Sequence, residues 1–186
     1  LLLLIVSGSS NEIALKALIA LFYGSFGSLS AISETLTAAT PLIFAALGIA
    51  IGFRAGLFNI GAEGQIILGG MAAVIIGFSF QLPFFIHLIL ILLAGALFGA
   101  LYAFISGWLK ATTGAHEVIT TIMLNLIAYR LLDFFLRIPS VQKEGRNDPI
   151  SKSILDTAEL PRILYFLDPN LRVHMGFLIA IFAVLI

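Results

Sequence analysis

The chain has 186 residues, 60% of them hydrophobic and 11% charged, with ten acidic side chains against ten basic ones and no cysteine. Soluble domains run at about 45–50% apolar and about 25% charged, so a mean hydropathy of +1.11 excludes an aqueous globule and points to the lipid bilayer as solvent. Zero net charge leaves no basic footprint for nucleic acid, and the missing cysteines exclude disulfides, thiolate zinc sites and cysteine nucleophiles.

A spanning helix needs about 20 predominantly apolar residues, and in chain order the sequence supplies several. "LLLLIV" at 1–6 reads as the tail of a first span, and 12–24 as a helix lying along the outer surface. The next span is 36–53, with Ser33 offering an N-cap, Glu34 a first-turn acid, and Pro41 standing early enough to cost little. The apolar run 66–80 is too short to cross a core of about 30 Å at about 1.5 Å per residue. Extending it back to 57 makes it long enough. The polar residues of "RAGLFNIGAEGQIILGG" (54–70) then lie within the membrane near one face, or the segment is re-entrant.

Residues 84–109 form the clearest span, closed by Trp108 and Lys110 as an interfacial pair, and 118–136 form another. Residues 138–172 are mixed in charge and carry Pro139, Pro149, Pro161 and Pro169, which reads as a long extracytoplasmic loop. A last span starts at 173 and runs to 186. The basic joints at Arg54 and Lys110 fall on one side, which the positive-inside rule makes cytoplasmic. Because both ends cut through apolar runs, we expect a piece of a longer polytopic protein: one all-α transmembrane helix bundle over 1–186. Gly69, Ala73 and Gly77 recur every four residues, as do Gly95, Gly99, Ala103 and Gly107. Such faces let helix backbones approach closely in lipid.

Two polar clusters lie inside this apolar frame. In the first, Asn59 and Glu63 are four apart and would share a helix face, with Gln65 pointing elsewhere. A glutamate in a span marks a site by default, and Arg54 is the nearest basic partner. Two readings stand: Arg54 and Glu63 pin a hairpin with Asn59 capping the helix, or a broken helix lines a pathway. In the second cluster, "KATTGAHEVITTIMLN" (110–125), His116-Glu117 begins a zinc-protease pattern, but position 120 is Thr where a second His is needed. No metal site follows. Glu117 suits a helix N-terminus, and Thr121 and Asn125 continue a polar face into the span, for a pathway or for interhelical hydrogen bonds. The chain lacks a phosphate-binding P-loop and a nucleophile elbow, so no enzyme and no cofactor is expected in it.

"TLTAATPLIFAALGIAIGFRAGLFNIGAEGQIILGGMAA" (35–73) and "LKATTGAHEVITTIMLNLIAYRLLDF" (109–134) closely resemble permease subunits of bacterial ABC importers. The likeness is to the branch with ribose and branched-chain amino acid permeases, and within it to simple-sugar and nucleoside permeases. "GLFNIGAEGQ" and "EVITTIMLN" are its most specific parts. The resemblance implies a multi-pass subunit of the bacterial plasma membrane that forms the path for a small polar solute, a nucleoside or simple sugar. Its implied partners are a second permease, ABC ATPase subunits that hydrolyse ATP on separate chains, and an extracytoplasmic substrate-binding protein, all around a lipid bilayer. The alternative is an ion-coupled secondary transporter or channel using Glu63 and Glu117.

Overall fold

The computed structural model describes residues 11–186, so the tail of a first span expected at 1–6 lies outside the described residues. Six α-helices follow: α1 (Asn11–Phe26), α2 (Leu29–Arg54), α3 (Ala62–Ser79), α4 (Phe84–Thr113), α5 (Glu117–Leu136) and α6 (Met175–Leu185). A short 3-10 turn, Asp156–Ala158, precedes α6. Helices α2, α3, α4 and α5 are each long and apolar enough to cross a membrane. No extended strand occurs among the described residues; two isolated bridges are the only β pairing there. The all-α polytopic bundle follows.

The chain divides into two compact units, residues 45–159 and residues 1–44 with 160–186, so α2 contributes to both. In the larger unit most buried positions are small or polar (Ala72, Ala94, Ala128, His87, Ser106, Thr121), with Tyr102, Phe135 and Val141 as larger exceptions, while Leu93, Leu97, Phe98, Leu101 and Phe104 of α4 are exposed. This inverts the soluble pattern. Lipid tails solvate large apolar side chains, so what the interior needs is close backbone approach.

Glycine supplies it between α3 and α4. A Cβ on Gly69 would stand 2.6 Å from the Gly95 carbonyl oxygen, and one on Gly99 would stand 3.2 Å from the Gln65 oxygen. Position 69 therefore meets 95 while 65 meets 99, the register of an antiparallel pair. Ala73 also meets this seam, its Cβ 3.8 Å from where a Cβ on Gly95 would be. Gly77 departs from the expected helix-packing role. A Cβ there would lie 2.7 Å from Ile154 Cγ2, so this glycine admits the loop that follows α5 rather than a helix. Gly107 meets nothing within 4 Å, and the small-residue seam ends before it.

That loop is folded. Gln142 and Ser151 form an antiparallel bridge, and Arg146 pairs with Asp148 at 2.7 Å, which holds the Asp148 carboxyl below the usual carboxylate range. Leu155 N–H then donates to the Gly77 carbonyl at 2.9 Å. His87, fully buried at the start of α4, bonds Thr157 Oγ1 at 2.8 Å through Nδ1 and the Ile76 carbonyl at 3.1 Å through Nε2. The loop is thereby fastened to the α3–α4 turn.

In the other unit the expected start of α2 needs correcting. The helix begins at Leu29, and Ser28 Oγ accepts the Ala31 N–H at 3.0 Å. Ser33 is no cap; it is buried within the helix and accepts N–H bonds from Arg172 at 2.9 Å and Val173 at 3.0 Å. Glu34 pairs with Arg172 at 3.3 Å. Pro41 is consequently interior rather than early. The hydroxyls of Thr37 and Thr40 bond back to the Ser33 and Leu36 carbonyls in the turns before it.

Candidate functional site

The polar residues singled out in the sequence meet where α2 gives way to α3. Helix α2 ends at Arg54, and Gly56 takes a left-handed φ of +72° that turns the chain, with Leu57 N–H donating back to the Gly52 carbonyl at 2.9 Å. Residues 57–60 are not helical, and α3 starts only at Ala62. The expected span over 57–80 is therefore a non-helical lead followed by a helix of about 27 Å at 1.5 Å per residue. Asn59 and Glu63 consequently do not share a helix face.

The lead runs alongside the first half of α5, whose side chains satisfy its backbone. Glu117 Oε1 accepts the Phe58 N–H at 3.4 Å, at the helix start. Two turns further on, Asn125 donates from Nδ2 to the Ile60 carbonyl at 3.0 Å and accepts the Gly64 N–H at 2.9 Å through Oδ1. Asn59 stays local, its Oδ1 accepting the Gly61 N–H at 2.8 Å and Gln65 Nε2 at 3.3 Å. Gln65 thus faces Asn59 rather than pointing elsewhere. Non-helical backbone at membrane depth survives only where such partners exist. Gly61 and Gly64 make the approach possible: a Cβ on Gly61 would sit 3.1 Å from Thr121 Cβ, and one on Gly64 would sit 2.9 Å from Asn125 Oδ1.

Glu117 is held twice. Lys110, in the last turn of α4, pairs with the same Oε1 at 2.5 Å, with both side chains mostly covered (34% and 20% exposed). Gly114, at φ +69°, closes α4 in a left-handed cap and returns the chain to Glu117. One carboxylate thus ties the α4–α5 turn to the lead into α3, so Glu117 is occupied and Lys110 does more than mark an interface. Thr121 is buried and donates to the Glu117 carbonyl at 2.7 Å, inside its own helix.

Arg54 makes no ion pair among the described residues, so the expected Arg54–Glu63 pin is absent. Glu63 instead accepts a hydrogen bond from the Tyr129 hydroxyl of α5. Sequence reasoning passed over Tyr129, and also Tyr102, whose hydroxyl donates to the Leu124 carbonyl at 2.7 Å and ties α4 to α5. The available signal was tyrosine in place of phenylalanine, since a phenol in an apolar setting needs a partner. A cavity of 140 Å³ lies beneath the lead, lined by Gly52, Phe58, Asn59, Ser106, Glu117 and Thr121 among others. Ligand pockets run to about 300–1,000 Å³, so this void is smaller than a usual ligand pocket.

Apolar helices packed through glycine, with one span interrupted and its open backbone served by a neighbouring helix, define a multi-pass membrane helix bundle. The chain belongs to the family described as branched-chain amino acid transport system / permease component, whose model matches residues 31–186. With four apolar helices, this makes it a multi-pass protein of the plasma membrane. It is 37% identical to a guanosine ABC transporter permease of Bacillus subtilis, over all of this chain and 51% of that protein. A glucose ABC transporter permease of Haloferax volcanii is 37% identical over 88% of this chain and 44% of its own length. A nucleoside ABC transporter permease of Lactococcus lactis is 34% identical over 89% and 47%. The chain therefore spans about half the length of the curated relatives it matches. No solved structure matches it.

Proposed function

We propose that the chain is part of the pore-forming subunit of an ATP-driven importer for nucleosides or simple sugars. The observation that carries this reading is similarity along its whole length to a guanosine permease, joined by glucose and nucleoside permeases. Its expected partners are a second permease, ATPases on separate chains and an extracytoplasmic binding protein. The joints at Arg54 and Lys110 would face the cytoplasm, and the folded loop after α5 would face outside, where solute is delivered.

The chemistry suits this role. A permease needs no nucleophile or metal; it needs helices that can shift and polar groups that hold solute weakly. The Lys110–Glu117–Phe58 tie gives the lead into α3 a fixed attachment to the α4–α5 turn, so motion of one carries the other. Occupation of Glu117 by Lys110 also argues against it as a freely titrating proton carrier. The test is ATP hydrolysis by the assembled complex, measured with binding protein loaded with guanosine, glucose or leucine. Stimulation by a nucleoside or a sugar is expected; stimulation by leucine alone would exclude the proposed solute class.

A further inference from the structure

Most deep polar side chains of the larger unit are spent inside it. Asn59, Gln65, Asn125 and Thr121 bond to backbone or to each other. Glu63 and Tyr129 are the exception. Both are exposed, and the carboxylate has the Tyr129 hydroxyl as its one hydrogen-bond partner among the described residues. Their depth follows from α5. Tyr129 stands twelve residues beyond Glu117, about 18 Å along a helix of about 30 Å, so the pair lies near the middle of the span. A carboxylate and a phenol at that depth are too costly to face lipid, and face a polar path or another protein.

The pair also has a definite chemistry. The carboxylate keeps lone pairs free to accept from two neighbouring hydroxyls, and the phenol ring beside it offers a flat apolar face. A polyhydroxylated sugar ring presents both features, and it is what guanosine, nucleosides and glucose have in common. Arg130, the next residue, lines the same groove as Tyr129 but makes no ion pair with Glu63 among the described residues.

We infer that Glu63 and Tyr129 form a hydroxyl-recognising step on the wall of the solute path, contacting the sugar ring of a nucleoside or simple sugar. This rests on the importer reading above, and the experiment separates the two. In the complete importer made free of other cysteines, Glu63→Cys and, separately, Tyr129→Cys are labelled with a membrane-impermeant methanethiosulfonate. The chain described here contributes no cysteine to that background. Labelling of both is expected, and guanosine or glucose at ten times its dissociation constant should slow it about tenfold, as 1 + [L]/Kd requires. Leucine should leave the rate unchanged. Absence of labelling, as for a lipid-facing or subunit-covered pair, overturns the inference, and so does labelling that no sugar-bearing solute slows. Should Glu63→Cys fail to assemble, Tyr129→Cys decides alone. If the cysteine-free complex takes up neither nucleoside nor sugar with ATP, the importer reading fails first.

Discussion

At the residue scale, Asn125 carries the greatest structural weight among the polar side chains, because it serves a donor and an acceptor of the interrupted chain at once. Asn125→Leu leaves the buried Gly64 N–H and the exposed Ile60 carbonyl without the Asn125 partner, at a cost of about 1–3 kcal/mol for the buried group. A clear drop in melting temperature of the detergent-solubilised protein is expected. Asn125→Asp keeps an oxygen for Gly64 but sets a second oxygen against the Ile60 carbonyl, so it too should destabilise. A second prediction concerns Lys110 and Glu117. Glu117→Gln strands the lysine, while the double change with Lys110→Met removes both charges. The double variant should melt above Glu117→Gln alone, and additive losses would show that the two side chains do not act together.

At the element scale, the α3–α4 seam makes a paired prediction. Gly69→Ala would press a methyl group against the Gly95 backbone at 2.6 Å. Backbone on both sides leaves little to give, and overpacking of this kind costs about 1–3 kcal/mol. Gly70, one residue on, has nothing within 4 Å of a built Cβ. Gly70→Ala should be neutral or stabilising by up to about 1 kcal/mol, since it only removes unfolded-state freedom. Thermal melts of the two variants side by side check this.

The small-residue periodicity made the seam legible in advance, and hydropathy made the four spanning helices legible. The break before α3 was half legible. Length arithmetic required 57–65 to enter the membrane, but a helical period was then carried through Gly61, which paired Asn59 with Glu63 on one face. The backbone instead stays open until Ala62, since Glu117 and Asn125, far along the chain, supply the partners that make an open conformation affordable. Ser33 misled in the same way. Its local sequence suits a cap, and its real partners are the backbone N–H groups of Arg172 and Val173. Local signals cannot show a bond across that much sequence.

At the scale of the whole molecule, the division of polar groups is what links fold to function. Charges and amides inside the larger unit fix an interrupted helix, and the Glu63–Tyr129 pair turns outward at mid-span. Of the two carboxylates an ion-coupled transporter could use, Glu117 is committed to Lys110 and the Phe58 amide, while Glu63 holds only the Tyr129 hydroxyl among the described residues. The central claim is transport driven by ATP on partner chains, and uptake into proteoliposomes tests it most directly. With the full-length permease, its partner permease, ATPases and binding protein reconstituted, labelled guanosine or glucose should accumulate only when ATP is supplied on the ATPase side. It should not accumulate under a proton or sodium gradient alone. Gradient-driven accumulation with the ATPases omitted would contradict the account.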